Sequence, residues 1–407
     1  MRPAPAPSPS AAAEFVLRLG QALHRYGVPA HRLEEALAAL AVHLGLRGEF
    51  FAIPTGIMVT IGEEGGRRTE LMRSEPGAVD LEKMALVDTL AERVTRGELT
   101  PAEGITELGA IERAPARYGR ALTIFCFGLA SATAARFFGG GGHEIAMAGA
   151  LGLGVGLLDL LYQRLPQLGR VGDALTALMV TLLTFALARP LGPLAVEIVG
   201  LAALIVLVPG FTLTTALSEL ATKNLVAGTA RLASALITFL QLGFGAAIAG
   251  RLMERLVGLP PPVTPSALPG WTLAIALAVA PLAFVVLLRA AGRDVVWILL
   301  AGLVAFGGAR LGAGWLGPEL GVFLGALGLG LYGNLYARRV RRPAAVPIVP
   351  GLMFLVPGSL GFRSFASLLD RQVDSGIATA FAMSLIAVSL VAGLLFASAI
   401  VPPRRAL

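Results

Sequence analysis

Two Val-Pro-Gly triplets, Val208 to Gly210 and Val356 to Gly358, interrupt apolar runs and each opens onto a polar segment with helical spacing. Proline removes a backbone donor and glycine permits a turn, so the following helix starts with unpaired amides, which attract carboxylates. After the first break, Thr212, Thr215, Glu219 and Thr222 fall on one helical face, opposite Phe211, Leu217 and Leu220. After the second, Arg363, Ser367, Asp370 and Asp374 align in the same way. Hydroxyls, acids, an arginine and exposed amides together suit a zwitterion, with acids for its ammonium and donors for its carboxylate. The candidate solute-binding set is Pro209, Gly210, Thr212, Thr215, Glu219, Asn224, Pro357, Gly358, Arg363, Asp370 and Asp374. Acids inside apolar spans are costly and usually functional, which makes Glu197 and Asp159 the candidate protonatable groups. The competing reading places both polar segments at a membrane interface as amphipathic helices with their charges in water.

Other chemistries find little support. His24, His31 and His43 lie on helical patterns whose apolar stripes exclude them, and the expectation is three solvated surface histidines. No cysteine accompanies them, and no serine stands in a nucleophile-elbow or phosphate-loop context, so no catalytic residue, metal site or cofactor is expected. The lone Cys126, inside an apolar run, reads as a buried structural thiol.

The elements that must position these residues follow from composition. The chain has 407 residues, 56% apolar and 14% charged, with a mean hydropathy of +0.76, which excludes an ordinary soluble globule. Residues 1–120 hold 16 of the 26 acids and 14 of the 33 bases, so the net charge is −2 in front and +9 behind. That basicity comes from arginines scattered between apolar runs, and a nucleic-acid partner is not expected. A Pro-rich tail (1–13) precedes a small α/β domain (14–118). Two helical stripes, Phe15 to Tyr26 and Leu33 to Leu44, form a hairpin of helices. Strand patterns follow at Glu49 to Ile53, Ile57 to Ile61 and Arg67 to Met72, with Gly62 to Gly66 as a plain hairpin. A helix spans Val79 to Arg96, and Thr100 with Glu103 forms a capping box for another.

From Ala121 onward ten apolar runs are long enough, or nearly so, to cross about 30 Å of hydrocarbon. The chain reads as an α-helical polytopic membrane protein of about ten spans: a first group of five (119–255), a Pro-rich linker (256–270), a second five (271–401) and a short tail (402–407). With the N-terminus inside, eleven basic residues face the cytoplasm against seven outside, which favours two cytoplasmic termini. A shift of 148 positions lays Val208, Pro209 and Gly210 on Val356, Pro357 and Gly358, then Leu220 on Leu368, Gly228 on Gly376 and Ala230 on Ala378. Because five is odd, the two copies must run oppositely across the bilayer, and interrupted segments at matching places in two halves point to a transport site.

Leu19 to Leu46 with its Arg-Leu-Glu-Glu centre, Pro54 to Arg73, and Val208 to Gly228 resemble the bacterial threonine/serine exporter family, and the likeness runs from Glu14 to Ile400. That resemblance implies efflux of threonine and serine across the cell (inner) membrane, coupled to the proton-motive force. Relatives split into two chains resemble dicarboxylate exporters. The front domain of the family has been likened to hydrolases, yet no matching catalytic set stands here.

The leading expectation is a secondary exporter of small polar amino acids working by alternating access; its partners are the small-molecule substrate and membrane lipid, and it is compatible with a homo-oligomer. A dicarboxylate exporter is the nearest alternative. A membrane-anchored enzyme with a hydrolase-like front domain is the alternative of another class.

Overall fold

A computed structural model describes residues 10–62, 68–75, 77–188, 192, 194–258, 263–369 and 371–403. The front domain opens with α1 (Ala11–Arg25) and α2 (Ala30–His43). Three antiparallel strands follow, β1 (Arg47–Ile53), β2 (Gly56–Gly62) and β3 (Arg68–Arg73), ordered β1-β2-β3 with Phe50 opposite Val59 and Val59 opposite Glu70. Alternation explains the sheet's two faces: Ala52, Ile57, Val59 and Ile61 are buried, whereas Phe51, Met58 and Leu71 are exposed. The buried face joins Phe15, Leu19, Leu23, Leu33 and Leu37 in one core. Helices α3 (Leu81–Thr95) and α4 (Pro101–Arg113) complete the domain, and the Thr100 and Glu103 capping box forms as its spacing requires. Of the expected hairpin, Gly62 ends β2, while Glu63 to Gly66 lie outside the described residues.

Thirteen short and long helices follow among the described residues. The first group comprises α5 (Arg120–Phe137), α6 (Gly142–Arg164), the four-residue α7 (Pro166–Gly169), α8 (Gly172–Ala188), α9 (Val196–Leu204), α10 (Gly210–Ala221) and α11 (Leu225–Val257). The second comprises α12 (Trp271–Leu287), a single tight turn at Gly292–Asp294, α13 (Val295–Leu316), α14 (Pro318–Val340), α15 (Ala345–Leu352), α16 (Gly358–Leu369) and α17 (Val373–Ile400). Five helices are long and apolar enough to cross a membrane by themselves: α6, α11, α13 with its preceding turn, α14 and α17. The apolar α8 and α12 are 17 residues each.

The fourth run of each group is interrupted at its Val-Pro-Gly break, as expected. Helix α9 ends at Leu204 and α15 at Leu352, before each Val-Pro-Gly triplet, and nine and eight residues rise only about 14 and 12 Å. Each is continued beyond its break by a 12-residue helix of about 18 Å, so only the broken pairs α9–α10 and α15–α16 match the thickness of a bilayer core.

The two segments after the breaks are built alike at the offset of 148. Helices α10 and α16 begin at Gly210 and Gly358, and α11 and α17 begin at Leu225 and Val373. Both 12-residue helices close with the same C-terminal device. Lys223 and Arg371 take left-handed backbone (φ 67° and 61°), while Asn224 N donates to Glu219 O at 2.8 Å and Gln372 N to Ser367 O at 2.9 Å. Neither helix is a surface element: Leu213, Thr215, Ala216 and Glu219 of α10, and Gly361, Phe362 and Ser364 of α16, are buried among α11, α17 and each other.

The front domain sits on one end of the helical bundle, here the near end. The first amides of α3 lie on the last carbonyls of α12, with Leu81 N donating to Leu288 O (3.0 Å) and Glu82 N to Arg289 O (3.1 Å). This end-to-end stacking satisfies groups that both helices would otherwise leave open. Tyr118 Oη donates to Ala290 O at 2.7 Å, and Arg289 lies 3.6 Å from Asp80. Val285, Ile298 and Val349 of the bundle thereby enter the front domain's own core.

Candidate functional site

The two helix breaks meet. A Cβ built on Gly210 would stand 3.2 Å from Gly358 Cα and 2.9 Å from Val356 Cγ2; one built on Gly358 would stand 3.2 Å from Gly210 Cα and 2.7 Å from Val208 Cγ1. Pro209 and Pro357, one residue earlier, flank this crossing. Only residues without side chains allow two backbones so close, which accounts for glycine at both positions.

A cavity lies on each side of the crossing. The near one, about 170 Å³, lies between the Gly27 to Arg32 turn of the front domain and helices α10, α14, α15 and α17. The far one, about 750 Å³, is bordered by α8, α9, α11 and α16. Their walls correspond at the same offset. Gly200, Leu201 and Leu204 of the far cavity fall on Ile348, Val349 and Leu352 of the near one. Ala246, Ala247 and Gly250 fall on Leu394, Leu395 and Ser398, and Phe362 and Ala366 on Thr214 and Ser218.

The expected site residues are divided between these places. Thr215 borders the near cavity with Thr214, Ser218 and Phe211. Phe211 was expected on the opposite face of α10; at 100° per residue, positions 211, 214, 215 and 218 share one stripe, and it faces the same space as the hydroxyls. Thr212 is half-buried and lines neither cavity. Glu219 is fully buried, and both its oxygens are occupied: Oε1 accepts from Ala30 N at 2.9 Å and Oε2 pairs with Arg231 Nε at 2.9 Å. Ala30 is the first residue of α2, so the carboxylate lies where a helix start favours negative charge. Asn224 Nδ2 reaches Glu34 Oε2 at 3.5 Å, and Glu34 Oε1 accepts from Ala52 N at 2.7 Å. Glu219 and Asn224 thus tie the bundle to the front domain.

Across the crossing, Arg363 is exposed with its guanidinium 5.7 Å from the Phe138 ring centre, and Asp374 is exposed at the start of α17. They are not brought together with Glu219. Asp370 lies outside the described residues. Glu197 borders the far cavity beside Arg251 and Glu254, which pair at 3.5 Å. Asp159 lines neither cavity and accepts from Gln163 Nε2 at 2.8 Å.

The histidine expectation is corrected at two of three positions. His24 is 3% exposed, with Nε2 donating to Ile53 O (2.9 Å) and Nδ1 therefore accepting from Ser74 Oγ (3.0 Å). Burial lowers its pKa. His31 borders the near cavity and its Nδ1 is buried without a hydrogen-bond partner. Burial first, then the charges of Arg32 and Arg231, push its pKa down to about 4. Only His43 is exposed. Cys126 is buried, as expected. Among the described residues no cluster of His, Cys, Asp or Glu could hold a metal.

Residues 14–253 match a family model described as a threonine/serine exporter, and residues 273–400 match a second, described as "Threonine/Serine exporter, ThrE". The chain belongs to the threonine/serine exporter family. It is therefore a membrane protein of a transporter family. Among curated relatives it is similar to Pheromone-regulated membrane protein 10 of several fungi. The Debaryomyces hansenii protein is 29% identical over 248 residues, 58% of this chain and 24% of that protein. The Pichia sorbitophila protein is 26% identical over 371 residues (88% and 37%), and that of Saccharomyces cerevisiae 26% over 382 (88% and 47%). The chain thus spans less than half the length of these relatives. No solved structure matches it.

Proposed function

We propose that the chain is a secondary exporter of small polar amino acids, threonine and serine foremost, working by alternating access between two inverted five-span units. The observation that carries this reading is the pair of cavities on opposite sides of the Gly210 and Gly358 crossing, with walls at equivalent positions of the two groups. A direct repeat would put equivalent cavities at the same end, so equivalent cavities at opposite ends support an inverted one. Counting each broken pair as one crossing gives ten spans, with the front domain and both termini on the cytoplasmic side. The near cavity, bordered by the front domain, and the far cavity, several times larger, then correspond to one state of a cycle whose other state has the relation reversed.

Substrate class follows from the groups at hand. Hydroxyls of Thr215 and Ser218 near the break, and the alternation of Glu197, Arg251 and Glu254 along the far wall, suit a zwitterion better than a dianion. Of the two candidate protonatable acids, Glu197 is the better placed, because it faces a water-accessible cavity and Asp159 does not. Pro209, Gly210, Pro357 and Gly358 form the hinge. Glu219 and Asn224 control access to it, while Arg363 and Asp374 lie on the far side and contact the solute only on exit. Counterflow of labelled threonine, serine and succinate in proteoliposomes, with and without a pH gradient, tests the reading. Threonine and serine exchange accelerated by the gradient is expected; exchange of succinate alone, or of none of the three, overturns it.

A further inference from the structure

The two cavities are lined in part at equivalent positions but not by the same chemistry. Where the near cavity has Thr214, Ser218 and Ser398, the far cavity has Phe362, Ala366 and Gly250. Hydroxyls are therefore concentrated in the near cavity, to which Thr215 adds another, while the charged Glu197, Arg251 and Glu254 line the far one. Thr214 Oγ1 donates to Gly210 O, whereas Thr215, Ser218 and Ser398 have no side-chain partner among the described residues. Asn334 donates to Val401 O and keeps its own carbonyl oxygen as an acceptor. Facing these groups is not another membrane helix but the front domain, which contributes Arg32 and His31. Among the described residues, the ion-pair partner of Arg32 is the exposed Glu35, at a loose 3.6 Å. The space, about 170 Å³, equals five or six water molecules at ~30 Å³ each, the scale of a solute with a handful of heavy atoms.

We propose that the near cavity is a composite solute site for a small hydroxylated amino acid, with the first turn of α2 as its lid. The inference rests on the exporter reading and adds to it a recognition role for a domain outside the membrane. Arg32 takes the carboxylate, and Thr215, Ser218 and the Asn334 carbonyl take the ammonium and hydroxyl. Phe211 and Leu352 bound the apolar remainder. Lifting of the lid widens the way out. The bonds that hold the lid are Ala30 N to Glu219 and Asn224 to Glu34, whereas the stacking of α3 on α12 is a backbone junction that can serve as the hinge.

Two measurements on the full chain in proteoliposomes test this. In the first, Arg32→Gln and the Ser218→Ala, Ser398→Ala pair should raise the half-saturating threonine concentration at least tenfold with the maximal rate within twofold. Arg32→Lys should recover part of the loss, and Ser234→Ala, on the exposed side of α11, should change nothing. In the second, Glu34→Cys with Asn224→Cys in a Cys126→Ala background is bridged by a short bifunctional thiol reagent. Bridging should stop counterflow relative to the same protein unbridged, and reduction should restore it. Unchanged half-saturation in both first-arm variants, or equal counterflow before and after bridging, overturns the composite site. A wild-type chain that exchanges neither threonine nor serine overturns the exporter reading instead, so the two failures are distinguishable.

Discussion

Gly210 and Gly358 face each other across the two helix breaks, each close enough that a methyl group on one would lie 3.2 Å from the other's Cα. The contact joins two positions 148 residues apart that occupy the same place in their respective groups, so it lies on the pseudo-symmetry axis of any inverted repeat. A change at either residue acts on both halves.

Gly210→Ala and Gly358→Ala are expected to be equivalent in effect. Each places a methyl against backbone and against a valine, at 2.9 Å from Val356 Cγ2 or 2.7 Å from Val208 Cγ1, and overpacking of this kind costs about 1–3 kcal/mol. Thermal unfolding should move down for both variants, and counterflow should fall at least tenfold because the hinge cannot close. Gly307→Ala is the control, since a Cβ there meets nothing within 4 Å. A normal melting temperature and a wild-type rate for Gly210→Ala would mean the breaks do not touch during transport.

The Glu219 carboxylate has a second consequence. Replacing it by alanine strands the Ala30 amide and leaves Arg231, whose side chain is 16% exposed, without its partner. Breaking a buried pair costs about 3–5 kcal/mol, and the partial exposure of Arg231 puts this case at or below the lower end. Glu219→Ala should therefore loosen the front domain without unfolding it, seen as faster trypsin cleavage between Arg113 and Arg120. The double variant Glu219→Ala, Arg231→Ala should be less destabilised than the sum of the single changes. Strict additivity would show that the two side chains do not act as a pair.

Much of this architecture is legible in the residues alone. The period-2 runs Glu49 to Ile53 and Ile57 to Ile61 gave strands because side chains alternate, and each Val-Pro-Gly triplet falls at a break between helices, where proline withholds a backbone donor and glycine permits close approach. What escaped is whatever depends on two surfaces meeting. Helical periodicity identifies the stripe of α1 and α2 that packs on their own core, and His24 and His31 fall outside that pattern although neither is a surface residue. It carries no signal that a strand end covers His24 or that the bundle covers His31. Glu219 looked like a solute ligand for the same reason: its partner amide on Ala30 is 189 positions away. The one available signal was compositional. A carboxylate and an arginine twelve residues apart, Glu219 and Arg231, in so apolar a stretch had to be paired.

Docking of the front domain should depend on pH through His31. In the docked state its pKa is pushed down to about 4 by burial, with Arg32 and Arg231 adding repulsion, while a solvated imidazole titrates near 6.5. Between these values the undocked state binds the extra proton, so docking is fully present above about pH 6.5 and is lost progressively as pH falls toward 4. Glu34 works in the opposite sense: burial holds its carboxyl above 4.5 despite the Ala52 amide, so its contribution strengthens as it protonates. The net trend is set by His31, whose shift is the larger of the two. Labelling of Ser218→Cys by an impermeant thiol reagent in inside-out vesicles should therefore accelerate between pH 7 and 5.5, and His31→Gln should flatten the profile. His24, also lowered by burial, titrates inside the front domain against Ile53 and Ser74, so its effect is read as lost circular dichroism. Accelerated labelling with unchanged dichroism assigns the change to the lid, and labelling independent of pH removes His31 from it.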